Sequence, residues 1–269
     1  MNLYCRLVLP LVFCGVVVYL PFGHAAAQPD LAELTESPVT KKPVLDLSSP
    51  AERFNALNSL VRDGKIGRVA ARSELKRLLA ELRGEYYRKG GIDFLKDTWV
   101  FPLAGYDARA MGGGRNKGYI ASGYDFFSGN RHGGHPSFDI FIHDRNQDCL
   151  DDRSGKPVRV LSLTGGIVVA LEREWQQGSG LRGGKYIWIF DPTNDLLVYY
   201  AHNSELFVKL GEIIKPGDQL AIVGRSGYNA EKRRSPSHLH LTVLRVRDGL
   251  PLPVNVYREL AKAGTGTER

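Results

Sequence analysis

Residues 235–246 read SPSHLHLTVLRV, a run that alternates like a strand and starts with two histidines one position apart. In an extended strand the side chains at i and i+2 point to the same face. His238 and His240 therefore lie side by side, while Leu239 turns the other way, toward a core. Two adjacent imidazoles add little packing energy on a strand face, so they call for partners elsewhere in the chain.

Similar runs precede them. VRVLSL (158–163), GIVVALE (166–172), KYIWIFD (185–191), DLLVYYAH (195–202) and DQLAIVG (218–224) are short and rich in β-branched or aromatic residues. Turn signals such as Thr164-Gly165-Gly166, Asp191-Pro192-Thr193-Asn194 and Lys215-Pro216-Gly217 separate them. Closely spaced strands without intervening helices predict a mainly β domain, an antiparallel sheet or open barrel.

Ahead of Trp99 the period is helical. Ser49 is a candidate N-cap, Pro50 sits at the first helical position and Glu52 can close a capping box. Phe54, Leu57 and Val61 then form an apolar stripe that Asp63-Gly64 stops. A second helix, about 67–89, puts Leu75, Leu78, Leu79, Leu82 and Tyr86 on one face. This α-helical hairpin is too small to hold its own core. We expect it to dock on the β-domain and restrict its groove, with a stabilising brace as the alternative reading.

The expected divisions are a signal peptide at 1–27, a linker at 28–48, the helical segment at 49–96, the β-domain at 97–250, and a C-terminal helix (near Val254 to Ala263) with a tail at 251–269. Arg6, an apolar run from Leu7 to Leu20 and Ala25-Ala26-Ala27 fit a cleavable secretory signal. Retention as an anchor is the competing reading, although Pro10, Pro21 and Gly23 leave the apolar run near the lower limit for spanning. Export to the periplasm or cell envelope follows, with no stable membrane insertion after cleavage.

Without Arg6 the 36 Lys and Arg become 35 against 29 Asp and Glu, a charge near +6. That field favours anionic polymers; an exported protein meets cell wall or membrane surface before nucleic acid, and no nucleic-acid partner is expected. Of three cysteines, Cys5 and Cys14 lie in the signal, so Cys149 is left without an internal disulfide partner.

Seven histidines are present, and apart from His24 all of them fall in the β-rich part. HPSFD (135–139) offers His135 and Asp139 as partners for the His238/His240 pair. Fully extended, these two would stand about 13 Å apart, so a turn at Pro136-Ser137 is expected to bring them onto one ion. Two imidazoles and one carboxylate with an open fourth position describe a catalytic rather than a structural zinc site. LLVYYAHNS (196–204) adds His202 at a strand end.

In this order, H-x-x-x-D, Tyr-x-His after a strand, and His-Leu-His resemble the lysostaphin/LytM-type zinc metallopeptidases that cut peptidoglycan peptides. The likeness spans about residues 97–245 and includes VKLGEIIKPGDQLAIVGRSG (208–227). It implies one zinc held by His135, Asp139 and His240, with His202 and His238 as the catalytic histidines, and peptidoglycan peptides as substrate. No Glu accompanies these motifs, so a histidine must handle the proton. Ser137 stands where the family usually has Gly, and Pro236-Ser237 where it has Gly-Pro. Both departures bear on loop shape and substrate preference more than on chemistry. Some relatives have lost ligands and only activate other wall hydrolases; a catalytically silent activator is the alternative reading.

Other features have plainer readings. His132 reads as a loop residue and His143 as a surface or packing histidine. Asp144, Asn146, Asp148 and Asp152 resemble a fragment of a Ca2+ loop, but the turn glycine is missing and an acidic turn is the reading preferred. AMGGGRNKG (110–118) and QQGSGLRGG (176–184) lack the setting of a phosphate loop and suit groove walls or hairpin turns. Neither the bond cut nor the oligomeric state is legible.

Overall fold

A computed structural model describes residues 49–112 and 118–265. The expected signal and linker lie outside the described residues, as do part of the first Gly-rich stretch and the end of the tail. Among the described residues no helix is long and apolar enough to cross a membrane.

Helix α1 (Pro50–Arg62) opens with the full capping box. The Ser49 hydroxyl accepts from the Glu52 amide at 3.2 Å, and the Glu52 carboxylate accepts from the Ser49 amide at 3.0 Å. Helix α2 (Arg68–Arg88) buries the expected stripe, Leu75, Leu78, Leu79, Leu82 and Tyr86.

Nine strands follow: β1 (Ser137–Phe141), β2 (Arg159–Leu161), β3 (Gly166–Glu172), β4 (Lys185–Asp191), β5 (Leu196–Leu206), β6 (Ile213–Ile214), β7 (Gln219–Val223), β8 (His238–Arg247) and β9 (Leu250–Pro253). They form one sheet in the order β1-β8-β5-β4-β3-β6, with β7 joined to β5 and β2, and β9 to β8. Every strand pairing is antiparallel. The expected mainly β, antiparallel class is what the chain adopts.

Alternation along these strands divides the core in two. Ile187, Ile189, Val198, Tyr200, Leu239, Leu241 and Val243 pack with Trp99, Phe101 and Leu103. Their neighbours Tyr186, Trp188, Phe190, Leu197 and Leu244 pack with Phe54, Leu57, Leu75, Leu78, Leu82 and Tyr86 of the hairpin. The hairpin thus shares a core with the sheet.

The C-terminal part departs from expectation. Strand β9 carries the sheet past residue 250, and the expected helix shrinks to α3 (Tyr257–Leu260). Pro251 and Pro253 favour extended backbone, and the Val254 amide donates to the Val243 carbonyl at 3.0 Å.

Candidate metal centre and groove

Strand β8 runs between β1 and β5, and the register places Asp139 opposite His240, Phe141 opposite His238, and Ser137 opposite Thr242. Directly opposed residues of an antiparallel pair share a face. His240 Nδ1 consequently stands 3.0 Å from Asp139 Oδ1. His135 precedes β1 and is bridged to Ile120 by two backbone hydrogen bonds of 2.7 Å. Its Nε2 lies 3.3 Å from the same Asp139 oxygen.

The turn expected at Pro136-Ser137 does not form, because Ser137 already opens β1. The bend falls earlier, at Gly134, with φ at +71°; a Cβ there would meet the Ser122 carbonyl at 2.5 Å. After it the chain is extended, so residues four apart keep one face, and the imidazole leans along the strand to reach Asp139.

A backbone hydrogen bond fixes the proton of His135. A carbonyl oxygen only accepts, so His135 Nδ1, 3.0 Å from the Gly118 carbonyl, bears the proton of the neutral ring. Its Nε2 lone pair is then left facing the carboxylate. His240 Nε2 contacts the Thr242 hydroxyl at 3.4 Å, while Nδ1 faces Asp139. The His135 lone pair, the facing nitrogen of His240 and a carboxylate oxygen converge, a donor set that suits a metal cation. Donors on a tetrahedral ion with bonds of about 2.0–2.1 Å stand about 3.3 Å apart. The observed 3.0 and 3.3 Å match that spacing. Among the described residues, His135, Asp139 and His240 are the group of three such donors within 4.8 Å of one another, and this group can hold a metal.

The electrostatics make the same demand. Burial works against the Asp139 charge, but hydrogen bonds from His135 and His240 hold its carboxyl well below the usual carboxylate range. The Asp139 hydrogen bond draws His135 up, whereas burial pushes His240 down despite the same carboxylate. Their opposite shifts reflect the deeper burial of His240.

His202 and His238 lie beside this trio. Their ring centres are 4.9 Å apart, and His202 is 5.4 Å from His240. His202 Nδ1 donates to the Ser226 carbonyl at 2.8 Å and His238 Nδ1 to the Pro236 carbonyl at 2.7 Å. Each ring therefore turns its Nε2 away from these carbonyls, and that of His238 stands 3.7 Å from Asp139 Oδ1. Burial and the neighbouring imidazoles push His202 well below the ordinary histidine range, so it stays neutral. His202 holds φ at +69°, which few residues with a side chain adopt. Its amide donates to the Gly183 carbonyl at 3.0 Å, and a strand irregularity follows at Asn203.

These side chains open into a cavity of about 330 Å³. Its wall includes Arg182 and Gly183 from the second Gly-rich stretch, and Asn58, Val61 and Arg62 from α1. The hairpin forms a side of the groove. Sequence reasoning offered the second Gly-rich stretch as a groove wall but missed Asn58, Val61 and Arg62, which reach it only through long-range packing. It also missed Ser137 and Thr242, whose hydroxyls pair at 2.6 Å behind His240. Thr242 could have been found by continuing the i, i+2 count from His240.

The remaining candidates fall away from the trio. His132 is a loop residue on the groove wall, edge-on to Tyr124. His143 is exposed beside Tyr106. Asp144 accepts from the Asp148 and Cys149 amides at 3.1 and 2.9 Å and from the Ser237 hydroxyl at 2.5 Å. Asp148 accepts from Asn146 at 2.8 Å, and Asp152 from the Arg145 amide at 3.2 Å. These oxygens serve the donors of their own turn and the Ser237 hydroxyl. Cys149 is a free thiol.

An antiparallel sheet here gathers two histidines and an aspartate that can hold a metal ion, with two further imidazoles alongside. Residues 149–252 match the model of peptidase family M23. The match contains His202, His238 and His240, whereas His135 and Asp139 precede it. No curated protein matches the chain. Among solved structures it is similar to lysostaphin from Staphylococcus simulans, at 22% identity over 51% of this chain and 47% of that one, with a TM-score of 0.34. A zinc-containing peptidase from Vibrio cholerae is 21% identical over 49% of this chain and 34% of that one, TM-score 0.31. LytM from Ruminococcus gnavus, named as a proposed glycyl-glycine endopeptidase, is 23% identical over 86% of this chain and 94% of that one, TM-score 0.43. The chain thus spans about half the length of lysostaphin.

Proposed function

We propose that the protein is an exported zinc-dependent endopeptidase that hydrolyses peptide cross-links or stem peptides of bacterial peptidoglycan in the periplasm or cell envelope. The observation that carries this reading is the convergence of five groups on one groove: His135, Asp139 and His240 as ligands, with the Nε2 atoms of His202 and His238 beside them. Zinc held by the three ligands would polarise the scissile carbonyl and acidify a water at the open position.

The chain's own residues account for the proton. His202, neutral and with Nδ1 fixed on the Ser226 carbonyl, presents Nε2 as an acceptor. His238 is oriented in the same sense by Pro236. Either ring can take a proton as general base. It can then donate from that nitrogen to the oxyanion or the leaving amine, since before protonation Nε2 has nothing to give. The presence of both histidines and all three ligands favours an enzyme over a silent activator.

Purified protein lacking residues 1–27 should release peptide fragments from isolated sacculi with no other hydrolase present, and a chelator should stop it. Turnover that appears only when an amidase is added would establish the activator instead. Elemental analysis checks the ligands: Asp139→Ala and His240→Ala should each lose the bound zinc, and unchanged zinc in both would sink the assignment.

A further inference from the structure

The groove holds two arginines, and their surroundings differ. Arg62 is engaged on every side, with its guanidinium on Asp63 at 2.8 Å, on Glu172 at 2.6 Å and near the Tyr186 hydroxyl at 3.3 Å. Arg182 has no carboxylate within ion-pair distance among the described residues. Its Nη1 donates to the Asn130 and His132 carbonyls at 3.1 and 3.0 Å. Its Nε and Nη2 have no hydrogen-bond partner among the described residues.

That division of the guanidinium matters. The two carbonyls anchor one end, leaving free the edge on which Nε–H and an Nη2–H run parallel. This edge is the fork that matches a carboxylate bidentately. The backbone beneath is held as well. The Tyr228 amide donates to the Leu181 carbonyl at 2.9 Å, and Gly227 packs so closely that a Cβ there would meet the Arg182 carbonyl at 2.5 Å. Less side-chain freedom then remains to be lost when a ligand binds.

Position and charge point the same way. Arg182 precedes Gly183, whose carbonyl takes the His202 amide, so the cation is tied to the backbone that sets a catalytic imidazole. Of the residues lining the groove, Asp139 is the one carboxylate, and it faces His135 and His240. No acid of the groove wall competes for Arg182.

We propose that Arg182 is the recognition site for a free carboxylate of the substrate peptide, close to the bond cut. The proposal rests on the peptidase reading above and names the substrate feature that the groove selects. A phosphate would also fit such a fork, but a site beside groups suited to peptide hydrolysis favours the carboxylate.

The test uses a cross-linked stem-peptide dimer in two forms, with its carboxylates free or converted to amides. Wild-type protein should cleave the free form roughly ten- to a hundred-fold more efficiently, the range expected for charge-assisted hydrogen bonds. Arg182→Gln should lose that preference, with the larger rise in KM on the free form. Arg182→Lys keeps a cation able to hold the two carbonyls but lacks the fork, and should lose most of the preference too. Equal cleavage of both forms by the wild type, or an equal loss on both in the lysine variant, would overturn the proposal. The Arg182 Nε–H resonance gives a readout without turnover and should shift with the free dimer but not with the amide. Such a shift without cleavage would uphold the site and remove the peptidase reading. A shift with inorganic phosphate alone would overturn the site.

Discussion

The two faces of the sheet are built from the same strands and put to different uses. One is covered by Trp99, Phe101 and Leu103 with aliphatic side chains of β4, β5 and β8. The other is divided along its length. Around Trp188, Phe190, Leu197 and Leu244 the hairpin seals it with Leu75, Leu78, Leu82 and Tyr86. Along β1 and the start of β8 it carries Asp139, His238 and His240. Leu244 and His240 lie four residues apart on one strand and one face, so the change from core to site occurs within a few residues. Chemistry occupies the part of the face where the hairpin ends.

The comparison breaks most readily at the hairpin. A protein beginning near Gly91 would expose the apolar patch that α1 and α2 bury, and patches larger than a few hundred Å² drive association. It should be aggregated or unstable, as judged by light scattering and thermal melting. That outcome marks the hairpin as a brace, whereas a soluble truncated protein with raised activity on sacculi would show that the hairpin restricts the groove.

At the histidine end the effect should fall on rate. His202→Ala and His238→Ala should each retain zinc and lose about 10²–10⁴-fold in turnover, the usual contribution of a general acid or base. Stoichiometric loss of zinc in either variant would show that ligand and proton-handling roles are exchanged. Full activity in both would remove the mechanism.

A smaller effect is expected at Asp191, which ends β4 and whose carboxylate accepts from the Asn194 amide and side chain at 3.1 and 2.8 Å. Burial raises its pKa from 3.8 to about 6 in spite of those hydrogen bonds. A raised carboxyl pKa means that the folded state holds the proton more tightly than the unfolded one. The associated stability is fully present below pH 3.8 and is lost as pH rises through about 6. The whole change is at most roughly 3 kcal/mol. Asp191→Asn stays uncharged, so denaturant midpoints measured from pH 4 to 7 should vary less than in the wild type. Parallel curves would place the burial cost elsewhere.

Much of the site could be read in the chain because its signals are local. His238 and His240 share a face through a two-residue period, which β8 preserves. The stripe of α2 and the capping box of α1 are likewise set by neighbours three or four positions apart. The turn at Pro136-Ser137 failed for the converse reason. Whether HPSFD bends or extends depends on the partner strand, and pairing of Ser137 with Thr242 and of Asp139 with His240 keeps it straight.

The amino-acid sequence by itself determined the strand class, both helices of the hairpin and the residue types of the candidate metal centre, because periodicity and capping act over a few positions. Tertiary structure decided the rest. It set the register that puts Asp139 opposite His240, the carbonyls that fix each imidazole, the side of the sheet the hairpin covers, and the free edge of Arg182. Each of these joins groups far apart in the chain, and which distant groups meet is settled only when burial of the two faces selects one register and one packing.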